Sequence, residues 1–331
     1  MEAMRQAPKL VTVFGGSGFV GRNVVRALAR RGYRIRVAVR RPNLAFFLQP
    51  LGTVGQIELV QANLRYDGSI ERALVGADAV VNCVGILGET GRQTFDEVQA
   101  GGPRAIAHAC PAGVPIVHVS ALGAHLLSPS RYGRTKAQGE AAVLSERPNT
   151  VVFRPSLVFG QGDSFFNRFA ALARMLPVLP LAGAGTRFQP VFVGDVAEAV
   201  ARGVDGTVPG GRIYELGGPE TRTLTELVDY VLAVIERKRL VVPLPFGVAR
   251  VQARMMELVD TLSFGLLPDM LKLTGDQVEL LRVDNVVSAE AIAEDRTLAG
   301  IGIAPRAMES IVPEYLVRFR KTGQFDVEPA A

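Results

Sequence analysis

Three glycines, Gly15, Gly18 and Gly21, stand three residues apart. They lie between an apolar run, Lys9 to Phe14, and a helical pattern carried by Val24, Val25, Leu28 and Ala29. Strand, glycine loop and helix in that order form a place where a backbone can approach a pyrophosphate. Missing Cβ atoms permit the tight turn, and the free amides and dipole at the helix start favour negative charge. A glycine triplet alone is often only a turn; the strand-helix context is what points to a dinucleotide.

The next strand, Tyr33 to Val39, indicates which dinucleotide. A site for the unphosphorylated coenzyme commonly offers a carboxylate to the adenosine ribose about 20 residues after the loop. Residues 22 to 57 contain none, and the strand runs out into Arg40 and Arg41. Paired guanidinium groups there suit a 2′-phosphate, so NADPH is the expected cofactor. The plainer alternative is that both arginines cap the strand end in solvent and leave coenzyme preference open.

A second pair, Tyr132 and Lys136, is spaced four apart in RYGRTKAQGE and shares one helical face. The chain has six tyrosines and only five lysines, so the pairing carries information. An ammonium beside a phenol could lower its pKa and let it exchange a proton with a carbonyl or alcohol. The alternative is an ordinary exposed helix pair.

Elements must hold these groups in place. Ile57 to Val60, Ala79 to Val84, Pro115 to Ser120 and Val151 to Phe153 read as further strands separated by helical segments, and Gly32 reads as the cap of the first helix. That alternation predicts an α/β fold, a Rossmann-type doubly wound parallel sheet. After Gly160 an aromatic helix candidate (Phe165, Phe166, Phe169, Leu172) is followed by a proline turn, Pro177 to Pro180, and a glycine turn, Gly183 to Gly185. Val191 to Ala201 and Ile213 to Leu216 then read as rejoining the sheet. The organisation expected is a nucleotide-binding lobe over residues 9–160, completed by about 190–216. A smaller, mostly helical lobe takes 161–189 and 217–320, and 321–331 is a tail. Within that lobe Val248, Val251, Met255, Leu258, Val259 and Leu262 make an apolar stripe, continued by Phe264, Leu266, Leu267 and Pro268. Such a stripe is either lobe core or a docking face.

Composition sets the outer limits. With 48% hydrophobic and 21% charged residues, a 331-residue chain is neither disordered nor fibrous, and no apolar run is long enough for a membrane span. Residues 22 to 41 carry eight arginines and no acid, so against a total of +5 the remainder is net −3. Arg22, Arg26 and Arg30 read as a solvated helix face, and with no tryptophan to stack bases, nucleic acid is not an expected partner. Cys83 and Cys110 are too few for a disulfide framework, and with His108, His118 and His125 they form no spaced ligand set, so no metal is expected. The opening MEAMRQAPKL lacks the apolar core of a secretory signal, which points to a bacterial cytoplasm or a trimmed organellar protein.

The glycine loop, Asn63-Leu64, Val81 to Gly85, Ser120, Tyr132-x-x-x-Lys136 and Arg154-Pro155-x-x-x-x-Gly160 occur in the order found in the extended and atypical short-chain dehydrogenase/reductases. VSALGA, SPSRYGRTKAQGE, FRPSLVFGQGDSFFNRFA, RFQPVFVGDVAEAV and TGDQVELLRVDNVVS extend the likeness from about residue 9 to 320. There the chain resembles a bacterial version of the nucleotide-binding accessory subunits of respiratory complex I. That resemblance implies that Gly15, Ser17, Gly18, Phe19, Val20 and Gly21 hold the pyrophosphate, Arg40 and Arg41 the 2′-phosphate, and Asn63 and Leu64 the adenine edge. Cys83, Val84, Gly85, Pro155, Ser156 and Leu157 would flank the nicotinamide, with Ser120, Tyr132 and Lys136 as the catalytic set if the site turns over. One departure matters: active extended members commonly carry a second Ser or Thr two positions after the residue matching Ser120, where this chain has Leu122. A leucine side chain cannot donate to a substrate oxygen.

The implied role is an NADPH-binding accessory subunit without hydride transfer of its own. It would sit at the cytoplasmic face of the bacterial inner membrane, or the matrix side in an organelle. Its partners would be subunits near the junction with the membrane arm, with the membrane surface as a further contact. The competing expectation is a free-standing NADP-dependent reductase or epimerase using Tyr132 and Lys136.

Overall fold

The computed structural model describes residues 8–262 and 274–321. Phe264, Leu266, Leu267, Pro268 and the expected tail from residue 322 lie outside them. In chain order the strands are β1 (Leu10–Phe14), β2 (Arg34–Val39), β3 (Ile57–Gln61), β4 (Ala79–Asn82), β5 (Ile116–Val119), β6 (Val151–Pro155), β7 (Val158–Phe159), β8 (Val178–Ala182), β9 (Arg187–Phe188), β10 (Val191–Phe192), β11 (Arg212–Leu216), β12 (Arg222–Thr223) and β13 (Leu240–Leu244). The helices are α1 (Phe19–Arg30), α2 (Asp67–Leu74), α3 (Gly102–Ala109), α4 (Arg131–Glu146), α5 (Phe166–Met175), α6 (Val193–Asp205), α7 (Leu224–Val234), α8 (Phe246–Leu262), α9 (Gly275–Leu280), α10 (Ala289–Ala293) and α11 (Val312–Leu316).

The chain divides into two compact units. The first comprises the described residues up to Pro155, Val193–Leu216 and Ser288–Ala304. Its seven strands form one parallel sheet in the order β11-β6-β5-β4-β1-β2-β3. The order reverses beside β1, which places the glycine loop at the switch point where doubly wound sheets bind ligands. Every residue of β1 and β4 is buried, as strands covered on both faces must be. Phe14, Ile70, Leu74, Val80 and Ile106 join one core cluster beneath α2 and α3. Gly32, at φ +80°, ends α1, and its amide closes on Ala29 O at 3.0 Å.

The second unit holds Ser156–Phe192, Gly217–Val287 and the residues from Pro305. Its core gathers Phe159, Phe166, Leu179, Val231, Val312 and Leu316, with α5, α7 and α11 around it and three two-stranded sheets at its margins. Asp163 caps α5, accepting the Phe166 amide at 2.7 Å while the Tyr315 hydroxyl donates to it at 2.6 Å.

Three expectations are corrected. Pro177 to Pro180 is not a turn: Val178–Ala182 is a strand paired in parallel with Leu240–Leu244, Val242 opposite Pro180. A two-stranded sheet has only edge strands, so a residue lacking an amide can face outward without breaking the ladder. Val191 to Ala201 does not return as a strand of the main sheet, because among the described residues β10 pairs only with β7 and the chain coils into α6 from Val193. Ser288–Ala304 belongs to the first unit rather than to the C-terminal lobe. Arg296 O accepts the Glu215 amide at 2.9 Å, the Arg296 guanidinium donates to Ile213 O at 2.7 Å, and the Ser288 amide donates to Glu215 at 2.8 Å, fastening the segment to β11. As for the apolar stripe of α8, Val248, Val251 and Met255 are more than half exposed and Ala249 is buried.

Candidate dinucleotide site

The glycine loop is held by its own backbone. Gly15 turns at φ +76°, its amide donating to Ala38 O at 3.1 Å, and its carbonyl accepts the Gly18 amide at 3.0 Å. A Cβ on Gly21 would lie 2.2 Å from Gly15 O, so only glycine lets α1 start this close to the loop. Gly18 caps α1 with no side-chain hydrogen bond, and no acid occupies the first turn. The amides at the helix start thus meet no protein acceptor from the cap, and Ser17 and Gly18 are exposed beside them. An anion completes such an end. Phe19 and Val20 are half-buried in the first turn.

At the end of β2, Arg40 and Arg41 are both exposed, and neither makes an ion pair among the described residues. The first carboxylate after the loop, Glu58, is paired with Arg36 at 3.1 Å in mid-strand. Past β3, the Asn63 side-chain oxygen accepts the Arg65 amide at 3.2 Å, its own amide donates to Ser69 Oγ, and Leu64 packs against Gly102.

The other half of the site is built on β4, β5 and α4. Asn82 is buried. Its oxygen accepts the Val84 amide at 3.0 Å, and its Nδ2 lies 3.1 Å from His118 Nδ1, fixing the turn Cys83-Val84-Gly85. Burial, reinforced by the charge of Lys136, pushes His118 down to about 3, so the ring is neutral. Burial lifts the Cys83 thiol to about 12. Ser120 is 4% exposed, with its hydroxyl unpartnered. Leu122 is buried too, its amide donating to Pro155 O at 2.9 Å.

Helix α4 is capped by Ser130, whose hydroxyl accepts the Gly133 amide, and it places Tyr132, Lys136 and Glu140 on one face at spacing four. Lys136 is 5% exposed, donates to Val119 O at 3.4 Å, and has its pKa lowered to about 8 by burial, with Glu140 and Cys83 opposing. Gly85 stands over it, a Cβ there falling 3.2 Å from Nζ. Tyr132 packs edge-on to Phe95 at 6.0 Å. Its phenol is not lowered by the ammonium as the spacing suggests; burial pushes it up to about 12. Glu140 grips Arg154 with two bonds, 2.9 and 2.5 Å, and Glu215 approaches from the far side at 3.9 Å.

Gly15 through Gly21, Arg40, Arg41, Asn63, Leu64, Cys83 to Gly85, Ser120, Tyr132, Lys136 and Pro155 all belong to the first unit. Ser156 and Leu157 belong to the second. There the Ser156 hydroxyl donates to Asn285 and accepts the Gln189 amide, and Leu157 packs on the core and takes the Val191 amide. Sequence reading assigned no role to Glu140 or to the Asn82–His118 pair. Glu140 was detectable from its spacing of four after Lys136; the partner of Asn82 becomes visible only once β4 and β5 are neighbours.

A glycine-cradled helix start at the switch point of a seven-stranded parallel sheet, facing a Tyr-x-x-x-Lys helix, defines a dinucleotide-binding protein of short-chain dehydrogenase/reductase type. The chain belongs to the NAD dependent epimerase/dehydratase family, whose profile matches residues 11–217. Nearly its whole length is similar to NADH dehydrogenase [ubiquinone] 1 alpha subcomplex subunit 9, mitochondrial, the complex I accessory subunit group. The Arabidopsis thaliana protein is 32% identical over 95% of this chain and 79% of its own, and that of Mus musculus 33% identical over 94% and 80%. In fold it is similar to the NADPH-dependent quinone oxidoreductase QOR2 of Escherichia coli, with TM-score 0.69, 20% identity, and 92% and 99% of the two chains covered.

Proposed function

We propose that this chain is an NADPH-holding accessory subunit of a complex I type NADH:ubiquinone oxidoreductase, without hydride-transfer turnover of its own. The observation that carries the cofactor half is the Arg40–Arg41 couple at the end of β2, without an ion pair among the described residues and in a stretch without carboxylates. Bound NADPH supplies a reducing hydride. The chain's residues bind and orient it: the amides of α1 take the pyrophosphate, Arg40 and Arg41 the 2′-phosphate, and Lys136 the nicotinamide ribose hydroxyls.

Restraint of turnover is argued from the oxygen side of the site. Reduction of a carbonyl needs donors where negative charge develops. Leu122 has no side-chain donor, which leaves Ser120 as the one hydroxyl of that pair of positions, and burial raises the Tyr132 phenol instead of lowering it toward neutral pH. The similarity to complex I subunits supports other subunits of such a complex as partners; within this proposal the contact lies in the hydrophilic arm near its junction with the membrane arm, on the cytoplasmic face of a bacterial inner membrane or the matrix side in an organelle. No helix among the described residues is long and apolar enough to cross a membrane.

Isolation of the respiratory complex in mild detergent tests this reading. The chain should co-purify with it, carrying NADPH at near-unit occupancy, and Tyr132→Phe should leave assembly intact. Recovery of the chain alone in the soluble fraction would sink the proposal. A second reading, a free-standing NADP-dependent reductase or epimerase, is favoured by the Tyr132–Lys136 face of α4. It requires NADPH oxidation with a carbonyl substrate that Tyr132→Phe abolishes.

A further inference from the structure

Residues 42–56, PNLAFFLQPLGTVGQ, carry no charge at all. The segment is anchored by buried Ala45 and Leu48, yet Leu44, Phe46, Phe47 and Val54 are 62, 58, 51 and 107% exposed. Large apolar side chains scattered singly over a surface need no explanation, but four exposed within eleven residues of one uncharged segment are a concentration that does. Gln56 ties the base of this loop to the first helix and second strand, its amide nitrogen donating to Ala29 O at 2.8 Å and Tyr33 O at 2.9 Å. On those elements Arg26, Arg30 and Arg34 are exposed and without ion pairs among the described residues, whereas Arg31 is taken by Glu198 and Asp205.

We infer that loop 42–56 and the arginines beside it form a docking face for an acidic protein surface, one that offers an apolar hollow to Phe46 and Phe47. The inference rests on the accessory-subunit reading and names the face by which that subunit attaches. An uncharged apolar centre flanked by cations has the anatomy of an interface, with aromatic anchors inside and charge at the rim. The rim cations are all guanidinium groups, whose planar fork matches carboxylates two bonds at a time. With no acid anywhere in residues 22–57, this face repels a basic partner and steers an acidic one.

The test replaces the native copy in the host cell with the full chain carrying Phe46→Ser and Phe47→Ser, or separately Arg26→Glu and Arg30→Glu. Native gels then read how much of each co-migrates with the respiratory complex. Co-migration should fall by at least about fivefold for each pair, while thermal unfolding and NADPH affinity of the purified variants match the parent. Should the phenylalanine pair disturb folding, the exposed arginine pair carries the test alone. Undiminished co-migration of a folded variant overturns the inference and leaves the accessory-subunit reading intact. A parent chain that never co-migrates overturns both. Vesicles of phosphatidylglycerol provide the remaining arm: sedimentation of the parent but not of the Phe46/Phe47 variant, with co-migration kept, would assign the face to lipid and overturn a protein partner.

Discussion

Lys136 carries a charge in a place that resists one. Burial holds its pKa at about 8, against 10.5 in an open chain. Between those values the unfolded state keeps the proton and the folded state has released it, so unfolding free energy rises with pH through that window. The rise is up to about 1.4 kcal/mol per pH unit. Denaturant titrations from pH 8 to 10 should show a steeper climb for the parent than for Lys136→Met; parallel curves would mean the ammonium is better solvated than its surroundings suggest. Arg40 and Arg41 allow a sharper experiment. Replacing both by alanine should weaken NADPH roughly ten- to a hundredfold and leave NADH nearly unchanged, as calorimetry can measure. These arginines and the glycines were legible in the sequence because backbone geometry and charge depend on residue type and spacing. The direction of the Tyr132 shift was not: proximity to Lys136 argues one way, burial argues the other, and burial is a property of the packed unit.

At the scale of elements, α4 is fixed on both sides. Gly139 meets the Gln99 carbonyl so closely that a Cβ would fall 2.1 Å from it. Gly139→Ala should therefore push α4 off the π-helix Asp96–Gly101 and cost about 2–4 kcal/mol, read as a lower urea midpoint. Glu140 couples the same helix to β6 through Arg154. Glu140→Ala should cost about 3 kcal/mol, because it leaves a largely buried guanidinium with only the distant Glu215. Glu140→Gln, keeping one acceptor, should recover part of that. The sequence announced α4 through its motif and the parallel strands through their apolar runs. It misled where local chemistry was overruled by pairing: two prolines three apart suggested a turn, yet an edge position in a two-stranded sheet accommodates Pro180 inside a strand. The segment beginning at Val191 is apolar enough for a buried strand, but it is equally apolar at helical spacing, and short runs of that kind do not decide between the two.

For the whole molecule, a ligand that binds only the folded state adds stability by mass action, about 2.7 kcal/mol at a hundred times its dissociation constant. Melting curves with saturating NADPH should thus shift upward by roughly 5 °C, with a smaller shift for NADH at equal concentration. No shift with either nucleotide would remove the basis for a cofactor role. The sequence placed the nucleotide lobe at residues 9–160 with a completion at about 190–216. It could not reveal that Ser288–Ala304 also belongs there, since that contribution is made by backbone and side-chain bonds to β11 rather than by any motif.

A fold assembled from three separated stretches has a consequence for its birth on the ribosome. While the polypeptide emerges, β6 waits with its outer edge bare until Arg212–Leu216 has been made. The clasp of Arg296 over that strand arrives only about eighty residues after Leu216. Coenzyme therefore cannot reward early domains as they appear. Nascent chains stalled or cut short before about residue 300 should be degraded rather than accumulate as partial nucleotide binders.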